Sequence, residues 1–282
     1  MTIALALKVN DGLVLTADSA TTITSLIDVP GQDKTLNVFN NEEKITQLHR
    51  RLPIGFMYWG MGIINGHSIN WHAKEIRSRL DGSNDTFKEW ALDEGAYDLS
   101  YAASKVYEYF NAIFPAVDKT NPTIFGLLVG GYSANSGEPE VYTCQTVNSI
   151  LSPPVLSISK DQSGSIWFGQ PEAIFRLLRG SSLKLAEALR KLGVDPTLVD
   201  QYVNAILVET NINVVWPGMP IQDAIDLAKF LAETTINYSR FSAGANTVGG
   251  PVDIAAITHH EGFKWVSRKH YYPIHLNPKG AI

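Results

Sequence analysis

Cysteine is almost missing from this 282-residue chain, with Cys144 its single example. That excludes an internal disulfide and a cysteine-built zinc site. Long apolar runs are missing too; none approaches the roughly 18–20 residues of a membrane-spanning helix. The N-terminus lacks the basic and apolar regions of a signal peptide. Charge is sparse, at 18% of residues with a net charge of -5, and no basic run exceeds His49-Arg50-Arg51. No nucleic-acid or membrane partner is expected, and Arg50-Arg51 reads as a solvated turn rather than an anion site. Hydrophobic residues, by contrast, make up 45% of the chain, enough to bury a sizeable core. Together these features predict a soluble, cytoplasmic protein built as one domain over 1–282.

After Met1 the chain runs TIALALKVNDGLVLTADSATT. Removal of Met1 would leave Thr2 first, with a free α-amine and a hydroxyl on one residue. The unperturbed α-amine has a pKa of about 7.7–8.0, so much of it is neutral near neutrality. It can take the hydroxyl proton directly or through a water. Ile3 to Val9 is a β-rich run, Asp11-Gly12 is a type I′ turn signal, and Leu13 to Ala17 is a second apolar run. That pattern predicts a hairpin, whose return brings Asp18 back beside Thr2. Lys44 opens another strand-like segment, Lys44 to Leu48. A lysine beside Thr2 would lower the pKa of the hydroxyl and the amine, and Asp18 would hold that lysine in place.

Residues 20–43, with Pro30, Gly31 and Asn40-Asn41, read as a long loop with room for a short strand. It forms either a lip of the pocket or an ordinary surface loop. Strands are expected at 44–48 and 53–59. Helices follow at about 67–80 and 97–114, from apolar spacings of three and four. His67 and His72 are five apart, which is not a helical metal pair. Strands at 123–129, 140–147 and 165–168 read as parts of one sheet. Cys144 falls in the second of them and reads as core rather than nucleophile. Pro171, Glu172 and Gly180 frame the next helix. Helices at about 182–192 and 197–209, a longer helix at 220–238, and a hairpin of 252–258 with 263–266 complete the reading. A tail begins near 267.

These residues resemble the proteasome family of N-terminal nucleophile hydrolases. The resemblance rests on Thr2 opening the first strand, Ala17-Asp18-Ser19 with Thr21-Thr22, Lys44-Ile45, and Tyr58-Trp59-Gly60-Met61-Gly62. Val248-Gly249-Gly250-Pro251-Val252-Asp253 makes the bacterial ancestral-β branch, Anbu, the nearest match. The resemblance implies an α+β fold, a four-layer αββα sandwich. It implies Thr2 as nucleophile with Lys44 and Asp18 as catalytic partners, and Gly60 as oxyanion donor. Thr21 and Thr22 would contact substrate. Met57 and Tyr58 would shape the specificity pocket, with plain core packing as the alternative. Gln170, at a position where the family often has serine, and Asn246 with Thr247 would support the amine. No metal or organic cofactor is needed. The implied activity is a threonine-type endopeptidase acting on polypeptides or peptides, assembled as a homo-oligomeric ring or ring-like stack. The sequence names no unfoldase partner. A helical insertion at about 181–212 would sit on the rim or at a subunit contact. Two alternatives stand: an amidase of the same class acting on a small amide, and a non-catalytic structural subunit. The retained Thr2, Asp18 and Lys44 argue against the second alternative; Gln170 and the lack of an aspartate near Thr247 argue for it.

Overall fold

A computed structural model of the chain describes residues 2–24, 35–114, 124–243 and 247–269. The N-terminal hairpin is present as β1 (Ile3–Val9) and β2 (Gly12–Ala17). Ala4 lies opposite Ala17 and Val9 opposite Gly12, which leaves Asn10-Asp11 as a two-residue loop. The type I′ turn is not formed, because none of Asn10, Asp11 and Gly12 takes a positive φ. A tertiary contact sets the loop instead: the Asn10 N–H donates to the Pro217 carbonyl at 2.9 Å. Gly12 is there for close approach, since a Cβ would come within 2.7 Å of the Ile257 carbonyl oxygen.

Residues 20–43 hold more structure than a loop. β3 (Thr21–Thr24) and β4 (Thr35–Phe39) pair as a two-stranded ribbon, favoured by the β-branched run Thr21-Thr22-Ile23-Thr24. The order then continues with β5 (Ile45–Gln47), β6 (Ile54–Gly60), a small ribbon of β7 (Ile63–Ile64) and β8 (His67–Ser68), and α1 (Ile69–Leu80). A 3₁₀ turn over Asp85–Trp90 leads to α2 (Leu99–Ile113), β9 (Phe125–Gly131), β10 (Glu140–Val147), β11 (Ile150–Leu151), β12 (Val155–Ile158) and β13 (Gly164–Gly169). Four helices follow: α3 (Glu172–Arg179), α4 (Leu185–Lys191), α5 (Pro196–Thr210) and α6 (Ile221–Phe241). The last described elements are β14 (Asp253–Thr258) and β15 (Gly262–Ser267). Helix starts follow local chemistry: the Ser68 side chain caps α1 and Asp98 caps α2. The left-handed Gly180 ends α3 as expected.

The fold is α+β with antiparallel sheets. One sheet runs β13-β1-β2-β14-β15. The other runs β11-β10-β9-β6-β5, with β12 also on β10. The 165–168 strand therefore does not join the 123–129 and 140–147 strands as expected. β13 instead pairs with β1, with Ile3 opposite Gly169. Apolar runs alone do not encode which sheet a strand enters.

Side-chain size follows strand alternation in β1. Ala4 and Ala6 point between the two sheets, where they meet Met57, Trp59 and Leu128. Ile3, Leu5, Leu7 and Val9 point the other way, onto Ile174, Leu178, Ala224, Ala228 and Leu231 of α3 and α6. The small residues let the sheets approach, and Trp59 stacks on Phe168 across the gap at 3.8 Å between ring centroids. A third core joins Phe56, Tyr58, Phe125, Leu127 and Cys144 to Ile69, Ile76, Ala102, Val106 and Phe110 of α1 and α2. Among the described residues, no helix is long and apolar enough to cross a membrane.

Candidate active site

β1, β2 and the start of β5 deliver Thr2, Asp18 and Lys44 to one place. Thr2 directly precedes β1, and Asp18 directly follows β2. The pairing of the hairpin therefore brings them together, with the Asp18 N–H donating to the Ile3 carbonyl at 3.2 Å. Lys44 reaches them from just before β5. Its Nζ lies 2.5 Å from Thr2 Oγ1, 2.7 Å from Asp18 Oδ1 and 2.5 Å from the Ala20 carbonyl oxygen. An ammonium has three donors, and here each has its own acceptor. All three residues are enclosed, with exposures of 3% for Thr2, 0% for Asp18 and 2% for Lys44.

Asp18 is held from every side. Its Oδ1 also accepts the Ile3 N–H at 3.1 Å. Its Oδ2 accepts the Ala20 N–H at 3.2 Å and the Gly249 N–H at 2.9 Å. Burial pushes the Lys44 pKa below the ordinary lysine value. The Asp18 charge and hydrogen bond pull it back up, while Lys269 adds to the depression. In its ammonium form Lys44 points a proton at Thr2 Oγ1. The hydroxyl's own proton then remains free to leave toward another base.

Lys269 belongs to a second buried layer that sequence reasoning did not single out. Its Nζ contacts Asp253 Oδ2 and donates to Ser19 Oγ at 2.7 Å, and its backbone N–H donates to Asp253 Oδ1 at 3.1 Å. Ser19 Oγ in turn donates to the Pro251 carbonyl at 2.6 Å. The register of the last hairpin puts Ser267 opposite Ile254, which carries Lys269 toward Asp253. Residues 268 and 269, read as the start of a tail, are tied down by these contacts.

The remaining expected residues fall at varying distances from this centre. Gln170 meets Thr2 through its backbone, its N–H donating to the Thr2 carbonyl at 2.7 Å. The preceding Gly169 has φ 92°, and a Cβ there would overlap that same carbonyl. Gln170 and Thr247 line one small cavity of about 130 Å3, and Asn246 lies outside the described residues. Thr21 opens β3 directly after Ala20. Its Oγ1 faces Gly62, where a Cβ would come within 2.8 Å. Thr22 is half-buried beside it. Gly60, with φ 85°, ends β6 against the carbonyl of Ile124, which leaves no room for a side chain.

Met57 and Tyr58 are fully enclosed. Met57 lies between the sheets and Tyr58 in the helix-covered core, so both side chains pack in the interior. Tyr58 serves the site indirectly. Its N–H donates to the Lys44 carbonyl at 3.2 Å, and its hydroxyl to Glu42 at 2.7 Å.

Elsewhere, His72 uses both ring nitrogens on Tyr109 and the Ile64 carbonyl. Burial pushes the Cys144 thiol up to about 12. Among the described residues, no group of His, Cys, Asp and Glu is arranged to hold a metal ion.

No protein-family model and no curated protein matches the chain. Three solved structures are similar to it. A Gly-1 mutant of Anbu from Hyphomicrobium sp. strain MC1 is 16% identical, with a TM-score of 0.48, over 95% of this chain and 86% of that one. Anbu (ancestral beta-subunit) from Yersinia bercovieri is 13% identical, with a TM-score of 0.47, over 96% and 89%. A helical assembly of the Anbu complex from Pseudomonas aeruginosa is 13% identical, with a TM-score of 0.51, over 96% and 88%. At this identity the last likeness is one of fold, and it extends over nearly the whole chain.

Proposed function

We propose that this protein is a threonine-type peptidase of the proteasome kind, cleaving peptide amides with Thr2 as nucleophile. The observation that carries the reading is the position of Lys44 Nζ, 2.5 Å from Thr2 Oγ1 and 2.7 Å from Asp18 Oδ1 in a buried site. Removal of Met1 frees the Thr2 amine, which serves as the base. Lys44 stabilises the developing alkoxide, Asp18 holds Lys44, and Gly60 supplies an oxyanion N–H. The substrate runs along β3, with Thr21 and Thr22 as its contacts. Gln170, Thr247 and Asn246 support the amine end.

In this reading the architecture is the four-layer αββα sandwich of N-terminal nucleophile hydrolases. The three cores, two between helices and a sheet and one between the sheets, support it. The whole chain forms one domain, and α4 and α5 are an insertion over about 181–212. That region exposes Leu192 and Val208 at 81% and 74%, which supports a role in self-association. The Pseudomonas aeruginosa relative is a helical assembly, and we propose a homo-oligomer here as well, in the cytoplasm.

The experiment is hydrolysis of fluorogenic peptides by wild type and Thr2→Ala, with light scattering on both. We expect an oligomer in both and turnover in wild type alone. One observation favours a second reading: Thr2 is only 3% exposed, as suits a non-catalytic structural subunit. Assembly without turnover in wild type would select that reading.

A further inference from the structure

One cavity away from Thr2 is distinguished by its charge. It has a volume of about 570 Å3 and lies where β5 and β15, the edge strands of the two sheets, meet α1. Lys74 and Arg77 line it from α1, and Arg268 lines it from just beyond β15. Among the described residues, Glu43 is the only carboxylate on its wall, and Glu43 is already occupied. The Asn70 amide donates to it at 2.6 Å, Arg268 Nη2 lies 3.1 Å away, and Lys74 Nζ lies 3.7 Å away. Arg77 pairs with no carboxylate among the described residues. Burial and the neighbouring Arg50 and Arg268 lower its hold on its proton, opposed by the charges of Asp81 and Glu43. The Arg268 Nε is buried without a hydrogen-bond partner. On the wall itself three positive side chains face one carboxylate.

A phosphate monoester carries about -1.5 to -2 charges at neutral pH on strong acceptor oxygens. Guanidinium groups bind such oxygens in pairs. The indole of Trp265 lies on the same wall, and the volume falls within the roughly 300–1,000 Å3 of small-molecule sites. We propose that this cavity binds a dianionic phosphate group, held by Lys74, Arg77 and Arg268. Sequence reading considered Arg50-Arg51 for an anion site and set it aside; the cationic cluster instead forms from residues far apart in the chain.

The test is calorimetric titration of the full chain with AMP, inorganic phosphate and adenosine, and it does not depend on any role for Thr2. Both phosphates should bind and adenosine should not. AMP binding more tightly than phosphate would assign the site to a phosphomonoester; equal affinities would assign it to free phosphate. Arg77→Gln and Lys74→Gln should each weaken AMP by about tenfold, the loss of one charge-assisted contact. Glu43→Gln should strengthen it by removing the competing carboxylate. Arg77 is half-buried and Lys74 exposed, so both variants should fold, with circular dichroism as the check. Absence of binding by either phosphate at millimolar concentration would overturn the proposal. So would affinities unchanged in folded Arg77→Gln and Lys74→Gln.

Discussion

Lys8 and Lys44 are two buried lysines with opposite meanings. They are 1% and 2% exposed, and each ammonium meets three acceptors. Around Lys8 all three are backbone carbonyls, those of Ser159 at 2.9 Å and of Lys160 and Gln162 at 2.6 Å. Around Lys44 one is a carbonyl, one a carboxylate and one the hydroxyl of Thr2. Burial lowers the pKa of both. A depressed lysine therefore does not mark a reactive site; the acceptors do. Lys8 fastens the 159–162 turn to β1, while Lys44 joins a potential nucleophile to an anion.

The largest expected difference is in reactivity. Lys44→Ala should slow covalent labelling of Thr2 by a β-lactone by about 10²–10³, the usual worth of one positioned electrostatic donor. Asp18→Asn should lose most of the rate as well, because it frees Lys44 to move. Lys8→Met should label at the wild-type rate. Equal losses in Lys44→Ala and Lys8→Met, followed by mass spectrometry, would erase the contrast.

Stability should separate the two less. Lys44→Ala strands Asp18 as a buried anion and should cost about 3 kcal/mol, the lower end for a broken buried pair, since three backbone N–H groups still reach that carboxylate. Lys8→Met leaves carbonyls short of a donor and should cost about 1–3 kcal/mol. Urea unfolding measures both.

A smaller effect lies in the pH dependence. A lysine with a folded pKa below 10.5 binds its proton less well in the fold than in the unfolded chain. Stability therefore rises with pH between the depressed value and 10.5. The stability of wild type relative to Lys8→Met should grow as pH is raised toward 10.5, and a flat difference would contradict the shift. The smallest effect concerns Cys144. Its buried thiol, pushed up to about 12, should resist iodoacetamide in the native state, and Cys144→Ala should leave Thr2 labelling unchanged.

The meeting of Thr2 and Asp18 was legible in the sequence because a hairpin is a local object. Once Ile3–Val9 pairs with Gly12–Ala17, Asp18 must return to Thr2. Most strands and helices were legible for the same reason, through periodicity and capping residues. What stayed hidden is set by tertiary contact. The partner of β13 depends on which sheet edge is free, and the turn at Asn10 on a carbonyl of Pro217. Enclosure of Met57 and Tyr58 depends on both sheets and their helices being in place. Lys269 escaped notice because its partners, Asp253 and Ser19, are 16 and 250 residues away.

If a free N-terminal Thr2 is the nucleophile, intact and peptide mass after treatment with a β-lactone will show it most directly. We expect a chain lacking Met1, with one adduct mapped to Thr2 and none in Thr2→Ala. A catalytically active protein that still begins with Met1, or an adduct that persists in Thr2→Ala, would contradict it.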